Sequence, residues 1–305
     1  MDGRVIDLPA PARFALVYGV IAPFRGPKSA AAYRKVWTAE GSPLLVHGQG
    51  LARGLGAALE WPVALGMRYG NPSIRAALDS LGAVDRLVVV PLYPQYASAT
   101  TGSTLAHLTG LLADRAAIAA VSVVRPFVQY DVFLDLLAER VGEEVDPFAP
   151  DHVLFSYHGL PERHLTAAST ETGGSACLAR PDCCERPDAR LGYCYRAHCL
   201  ATSAGIAART PLLSYSSAFQ SRLGRDRWIQ PATEAELVRL AGAGVRRLLV
   251  ATPSFVADCL ETVEEIGIRA VEVFRGAGGE ELRLAPCLNA DARWVEVLAG
   301  IVRGA

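Results

Sequence analysis

A histidine closing a buried apolar run, a line of carboxylates further on and five crowded cysteines are the residues here whose types and spacing could do chemistry. The histidine is His158, in Val153-Leu154-Phe155-Ser156-Tyr157-His158-Gly159-Leu160-Pro161. An imidazole titrates near neutral pH and can ligate a transition metal. Gly159 allows a ligand close approach, and Pro161 fixes the exit of the loop. A histidine at a strand end is, by itself, more often a satisfied structural or surface residue. His164 reads as solvated, and His47, His107, His152 and His198 have no supporting context.

The carboxylates lie in Phe255-Val256-Ala257-Asp258-Cys259-Leu260-Glu261-Thr262-Val263-Glu264-Glu265. On a helix, Val256, Leu260 and Val263 form one stripe, while Asp258, Glu261 and Glu265 share the opposite face. Periodicity alone reads this as a solvated acidic face. Yet the run follows a strand-like segment, 247–251, just as His158 follows another, 152–157. In open parallel sheets ligands bind beyond the carboxyl ends of strands. One site could then combine an imidazole with carboxylates, a set that suits ferrous iron and can accept protons.

Five of seven cysteines, Cys177, Cys183, Cys184, Cys194 and Cys199, fall within one stretch. Such density reads as a metal site before a disulfide framework, with 2Fe-2S or zinc as the candidates. The spacing matches no standard ferredoxin pattern. Cys259 and Cys287 sit in apolar surroundings and read as core residues.

These residues need a scaffold of parallel strands and helices, and the apolar pattern supplies one twice over. Strands are predicted over 62–69, 86–92, 118–125, 152–157, 211–216, 247–251 and 271–274. Helices are predicted over 28–38, 44–59, 73–81, 103–116, 131–145, 196–208, 234–243, 256–266 and 292–302. Asp146-Pro147 marks a boundary, and 169–191 has no periodicity. The fold class is therefore α/β, doubly wound, with parallel sheets.

Thirty basic and thirty-one acidic residues nearly cancel, which gives no sign of a nucleic-acid partner. No apolar run approaches the roughly 18 residues of a membrane span. The stretch from Phe14 to Phe24 is short and flanked by Arg13 and Arg25; it suits either a core helix or a lip on a membrane surface.

Together the segments resemble the ferrochelatase family. The carriers are 156–161 and 255–261. They are supported by Gly66-Met67-Arg68-Tyr69-Gly70, Pro91-Leu92-Tyr93-Pro94-Gln95-Tyr96, Phe219-Gln220-Ser221-Arg222 with Trp228, and Gly276-Ala277-Gly278-Gly279. The resemblance implies two Rossmann-like domains. The first is 1–126, joined by helix 289–305; the second is 127–288, with a cysteine-rich insert over 169–199. Porphyrin is expected in the cleft between them.

By the same resemblance, His158 and Glu261 act in pyrrole deprotonation and metal handling, and Glu265 extends a path for iron or protons. Arg68, Tyr69, Tyr96, Gln220, Ser221 and Trp228 surround the porphyrin. The implied reaction is insertion of ferrous iron into protoporphyrin IX or coproporphyrin III, with no organic cofactor. Four of the five clustered cysteines hold 2Fe-2S, as in some bacterial members, with zinc as the alternative. The location is cytoplasmic, with membrane association through the lip at 14–24. Family members start with a further strand ahead of the segment matching 2–7, so Met1 is expected to be internal to a longer, sounder protein. The rival readings are a cobalt or nickel chelatase and a non-catalytic iron–sulfur or iron sensor.

Overall fold

The computed structural model describes residues 2–6, 8–171, 178, 183–184, 192–212, 214–222 and 226–305. A helical run opens the chain: α1 (Ala10–Leu16), a wider π-type turn (Val17–Ile21) and α2 (Ala22–Val36). Then come α3 (Pro43–Leu59), α4 (Ile74–Leu81), β1 (Arg86–Val89), α5 (Ser103–Ala113), β2 (Ala120–Val123) and α6 (Asp131–Phe148). The second half holds β3 (His152–His158), α7 (Glu162–Glu171), α8 (Tyr195–Ala207), β4 (Tyr215–Gln220), α9 (Thr233–Gly242) and β5 (Arg247–Ala251). A π-type helix (Leu260–Ala270), α10 (Val271–Gly276), β6 (Glu281–Leu284) and α11 (Ala292–Arg303) complete it.

β1 and β2 pair in parallel. The larger sheet runs β4-β3-β5-β6, all parallel. Its chain order reverses direction between β3 and β5: the path steps from β3 out to β4, then returns to the far side of β3. A crevice therefore opens beyond the carboxyl ends of β3 and β5, where doubly wound sheets place ligands. β3 has helices on both sides, and residues 152–157 are all buried, as a central parallel strand requires.

Ser42 caps α3 by accepting from the Leu45 N–H, and Pro43 occupies the first turn, where its missing N–H costs nothing. α3 packs against α11, and Leu51, Leu55 and Leu59 share one apolar core with Trp294, Leu298 and Ile301. Gly54 makes this approach feasible, since a Cβ there would lie 2.9 Å from a Val295 methyl. The same core continues through Phe127 and Phe133 to Phe155 and Leu249.

Four predicted elements differ. Residues 62–69 form no strand: the Met67 N–H bonds the Pro72 carbonyl and turns the segment back on itself, satisfying it locally. Strand β4 begins later than 211 because register with β3 sets its limits and Pro211 has no N–H to give a ladder. Residues 271–274 continue a helix: Phe274 is fully buried beside Ile266 and Ala270, a helical face that a short apolar run disguises. Asp146-Pro147 lies inside α6, where a proline in the last turn removes only a terminal hydrogen bond.

Candidate active site

The crevice beyond β3 and β5 collects most of the chemistry. His158 is the last residue of β3 and faces Gln220, the last of β4. Its N–H donates to the Ser254 hydroxyl at 3.1 Å, which ties it to the loop following β5. Its ring Nδ1 lies 2.7 Å from the Gly159 carbonyl. A carbonyl only accepts, so Nδ1 carries the proton and neutral His158 keeps its basic lone pair on Nε2. Gly159 passes so close to β4 that a Cβ would meet the Gln220 carbonyl at 2.7 Å.

The π-type helix Leu260–Ala270 starts at this crevice. Gln220 Nε2 donates to the Glu261 carbonyl at 2.8 Å, while its Oε1 accepts from Ser156 at 2.8 Å. Gln220 is thus a buried bracket fastening the acidic helix to β4. The Glu261 carboxylate is hydrogen-bonded by the Cys259 thiol, which burial foremost, and then Glu261, push above its ordinary range. Tyr33, reaching in from α2, has its hydroxyl raised by burial and then by the Glu261 charge. Neither contact is visible in the spacing: Cys259 reads as core and Tyr33 as one more aromatic on an apolar helix.

Glu265 accepts from the Ser221 N–H at 2.8 Å and from its hydroxyl at 2.7 Å. Asp258 lies before the helix, correcting the predicted acidic line. Its carboxylate accepts from Asn289 at 2.8 Å and Thr262 at 3.0 Å. Glu264 is buried between Lys35 of α2, at 3.4 Å, and Arg269, at 2.8 Å. Trp228 closes one side, its ring 3.1 Å from where a Gly159 Cβ would sit and its buried indole N–H without a partner among the described residues.

Tyr96 meets Tyr193 edge-on, with ring centroids 4.7 Å apart, and its N–H donates to His198 Nδ1 at 3.1 Å. Arg68 and Tyr69 form a separate cluster. The Arg68 guanidinium lies 4.6 Å from the Tyr69 ring centroid and bonds Ser103 at 2.9 Å and Asp2 at 3.0 Å. Burial pushes Asp2 upward, but bonds from Ser103, the Arg4 N–H and Arg68 outweigh it and bring the carboxyl down to about 2. Among the described residues, no hydrogen bond or ion pair joins this cluster directly to His158.

The cysteines stand around the start of α8. The Cys183 and Cys184 sulfurs are 3.8 Å apart. Cys184 and Cys194 are hydrogen-bonded to each other, which with burial raises Cys184. Cys199 is buried, and burial above all raises its thiol, with Cys194 and Cys184 adding to the effect. Cys177 lies outside the described residues. Among those described, no three His, Cys, Asp or Glu side chains are arranged to hold a metal ion.

The fold is that of the chelatases: SirB from Bacillus subtilis with Fe3+ superposes with a TM-score of 0.57 at 12% identity, covering 86% of this chain and 91% of its own. The family profile described as Ferrochelatase matches residues 1–305. The ferrochelatase of Legionella pneumophila (strain Lens) is 44% identical, covering 99% of this chain and 90% of its own length. That of Azotobacter vinelandii is 46% identical with the same coverage, and that of Coxiella burnetii (strain CbuK_Q154) is 42% identical, covering 99% and 85%. The chain belongs to the ferrochelatase family and is an enzyme of metal insertion into porphyrin in heme biosynthesis.

Proposed function

We propose that this chain binds protoporphyrin IX or coproporphyrin III between a wall carrying Tyr96, Arg68 and Tyr69 and the crevice of His158 and Glu261. Ferrous iron is the second substrate. A planar porphyrin hides its nitrogens in one plane, so binding energy from the periphery has to distort the ring and present the lone pairs. Two pyrrole protons leave as iron enters, and bases must stand on that face.

The single observation that carries this reading is the His158 ring, whose Nδ1 is committed to the Gly159 carbonyl, leaving Nε2 as the base. Glu261, one strand away across Gln220, is the anionic partner for the imidazolium that forms. Glu265, with both oxygens on Ser221, holds that loop in place. Gln220 serves the same end from β4, and Ser221 and Trp228 border the ring. The test is His158→Ala assayed for ferrous insertion into protoporphyrin IX. A loss of about 10²-fold or more in kcat, with unchanged melting, is expected for removal of a general base. Near-normal turnover by the folded variant would remove His158 from the mechanism.

The thiols of Cys183, Cys184, Cys194 and Cys199, with Cys177, supply four ligands for 2Fe-2S, and soft thiolates are the right donors for it. The pairwise closeness of Cys183 to Cys184 and of Cys184 to Cys194 supports the reading. A bound cluster would supply one-electron chemistry and hold the insert together. Protein purified without oxygen should be red-brown with about two irons per chain; colourless protein with one zinc would favour the alternative.

Cytoplasmic placement with surface contact to a membrane fits the opening helices. Phe14, Tyr18 and Phe24 are exposed there at 58%, 58% and 73%, alongside Arg13, Arg25 and Lys28. Among the described residues no helix is long and apolar enough to cross a membrane. Co-sedimentation with anionic vesicles tests this contact.

A further inference from the structure

Helix α8 begins just after Cys194, carries Cys199 in its second turn and contacts both walls of the proposed site. Its residues 195, 198 and 202 lie three and four apart, on one face. That face is buried and polar: Tyr195 bonds the end of β3, while His198 and Thr202 both bond the Gln95–Tyr96 loop. The Tyr195 hydroxyl donates to the His158 carbonyl at 2.7 Å and also contacts the Ser254 hydroxyl that accepts from the His158 N–H. His198 Nδ1 accepts from the Tyr96 N–H at 3.1 Å, so its proton sits on Nε2, which donates to the Gly192 carbonyl at 2.8 Å. Thr202 accepts from Gln95 Nε2 at 3.2 Å.

We infer that Tyr195 and His198 are positioning residues for chelation: Tyr195 fixes the backbone that aims the His158 ring, and His198 fixes the backbone that aims the Tyr96 ring. The inference rests on the reading of His158 and Tyr96 as site residues. The two bonds reach different parts of the chain, 37 residues back to β3 and 102 back to the Tyr96 loop. One turn of helix thereby sets the spacing between a base and a ring-binding wall. A histidine that merely filled the core would not need its two nitrogens spent on separate backbone segments.

The same turn faces the cysteines. Cys199 and the Tyr195 hydroxyl are hydrogen-bond partners, and Gly192 belongs to the stretch that leads out of the insert.

The test separates the two walls by kinetics. Tyr195→Phe keeps the ring and loses the hydroxyl, so kcat should fall about tenfold, as loss of roughly 1 kcal/mol or slightly more implies, with porphyrin KM unchanged. His198→Ala should instead weaken protoporphyrin IX binding about tenfold, read by fluorescence titration without iron, with kcat largely kept. His198→Asn, whose amide oxygen can replace Nδ1 as acceptor, should restore binding, and it carries the test if the alanine variant does not fold. Lower melting temperatures with normal kcat and normal porphyrin affinity would overturn the inference and leave both residues structural. His158→Ala measured alongside tells the two readings apart. If that variant turns over normally, the base assignment fails, whereas the His198 titration still decides the Tyr96 half.

Discussion

Ser221 stands at φ +65° because the Glu265 carboxylate takes both its N–H and its hydroxyl, at 2.8 and 2.7 Å. A left-handed backbone is costly for a residue with a Cβ, and the carboxylate offsets that cost at the rim of the site. Glu265→Ala should destabilise the protein by about 2 kcal/mol, as loss of charge-assisted hydrogen bonds implies. Adding Ser221→Gly to that variant should recover about 1 kcal/mol, because glycine adopts positive φ freely. Urea denaturation of the single and double variants checks both; no recovery would show that Ser221 carries no strain.

Glu264 should be more sensitive than its place in an acidic run suggests. It is buried between Lys35 and Arg269, both half-exposed, and joins α2 to the acidic helix. Glu264→Gln should cost about 1–2 kcal/mol, discounted from the 3–5 of a fully buried pair because both partners keep water. Hydrogen exchange should show α2 loosening first. An unchanged exchange profile would mean the two helices are held by apolar packing alone.

Acid should strip one defined tie. Hydrogen bonds from Arg293, side chain and backbone, with the Arg140 charge, hold Asp291 down to about 2 from an ordinary 3.8 despite its burial. A lowered carboxyl gives stability that is full above its unfolded value and is lost as pH falls through the folded one. Asp291→Asn, which can still cap α11, should melt lower than the parent at pH 7 and converge with it as pH falls from about 4 to 2. Parallel melting curves across that window would exclude the carboxylate as the cause.

Gly54 admits α11. Gly54→Ala should destabilise by about 1–3 kcal/mol by pressing a methyl against Val295, an overpacking cost. Val295→Ala in the same chain should remove most of that penalty, which a double-mutant cycle measures directly.

The strands that carry the site were legible, since β3 and β5 are mostly apolar without alternation, as central parallel strands are. His158 followed from its position at the end of one. The acidic residues were harder: Asp258, Glu261 and Glu265 look like one hydrated face, with Glu264 off to its side. In fact Asp258 and Glu265 are spent on Asn289 and Ser221, and Glu264 on Lys35 and Arg269. Those partners lie 31 or more residues away, apart from Arg269, and no local periodicity encodes them. Residues 271–274 misled for the opposite reason, because Val271, Val273 and Phe274 fit either a strand or the inner face of a helix. His198 gave no local sign because both its partners are backbone groups.

The packing of α11 on α3 also fixes when this protein can finish folding. Leu51, Leu55 and Leu59 are made early by the ribosome, yet Trp294, Leu298 and Ile301 cover them. Some two hundred and thirty residues of synthesis separate the two halves of that contact, on the order of ten seconds or more at roughly 5–20 residues per second. Throughout that interval the nascent chain presents a greasy stripe to solvent, and a holdase chaperone that favours such stripes would have its natural client here.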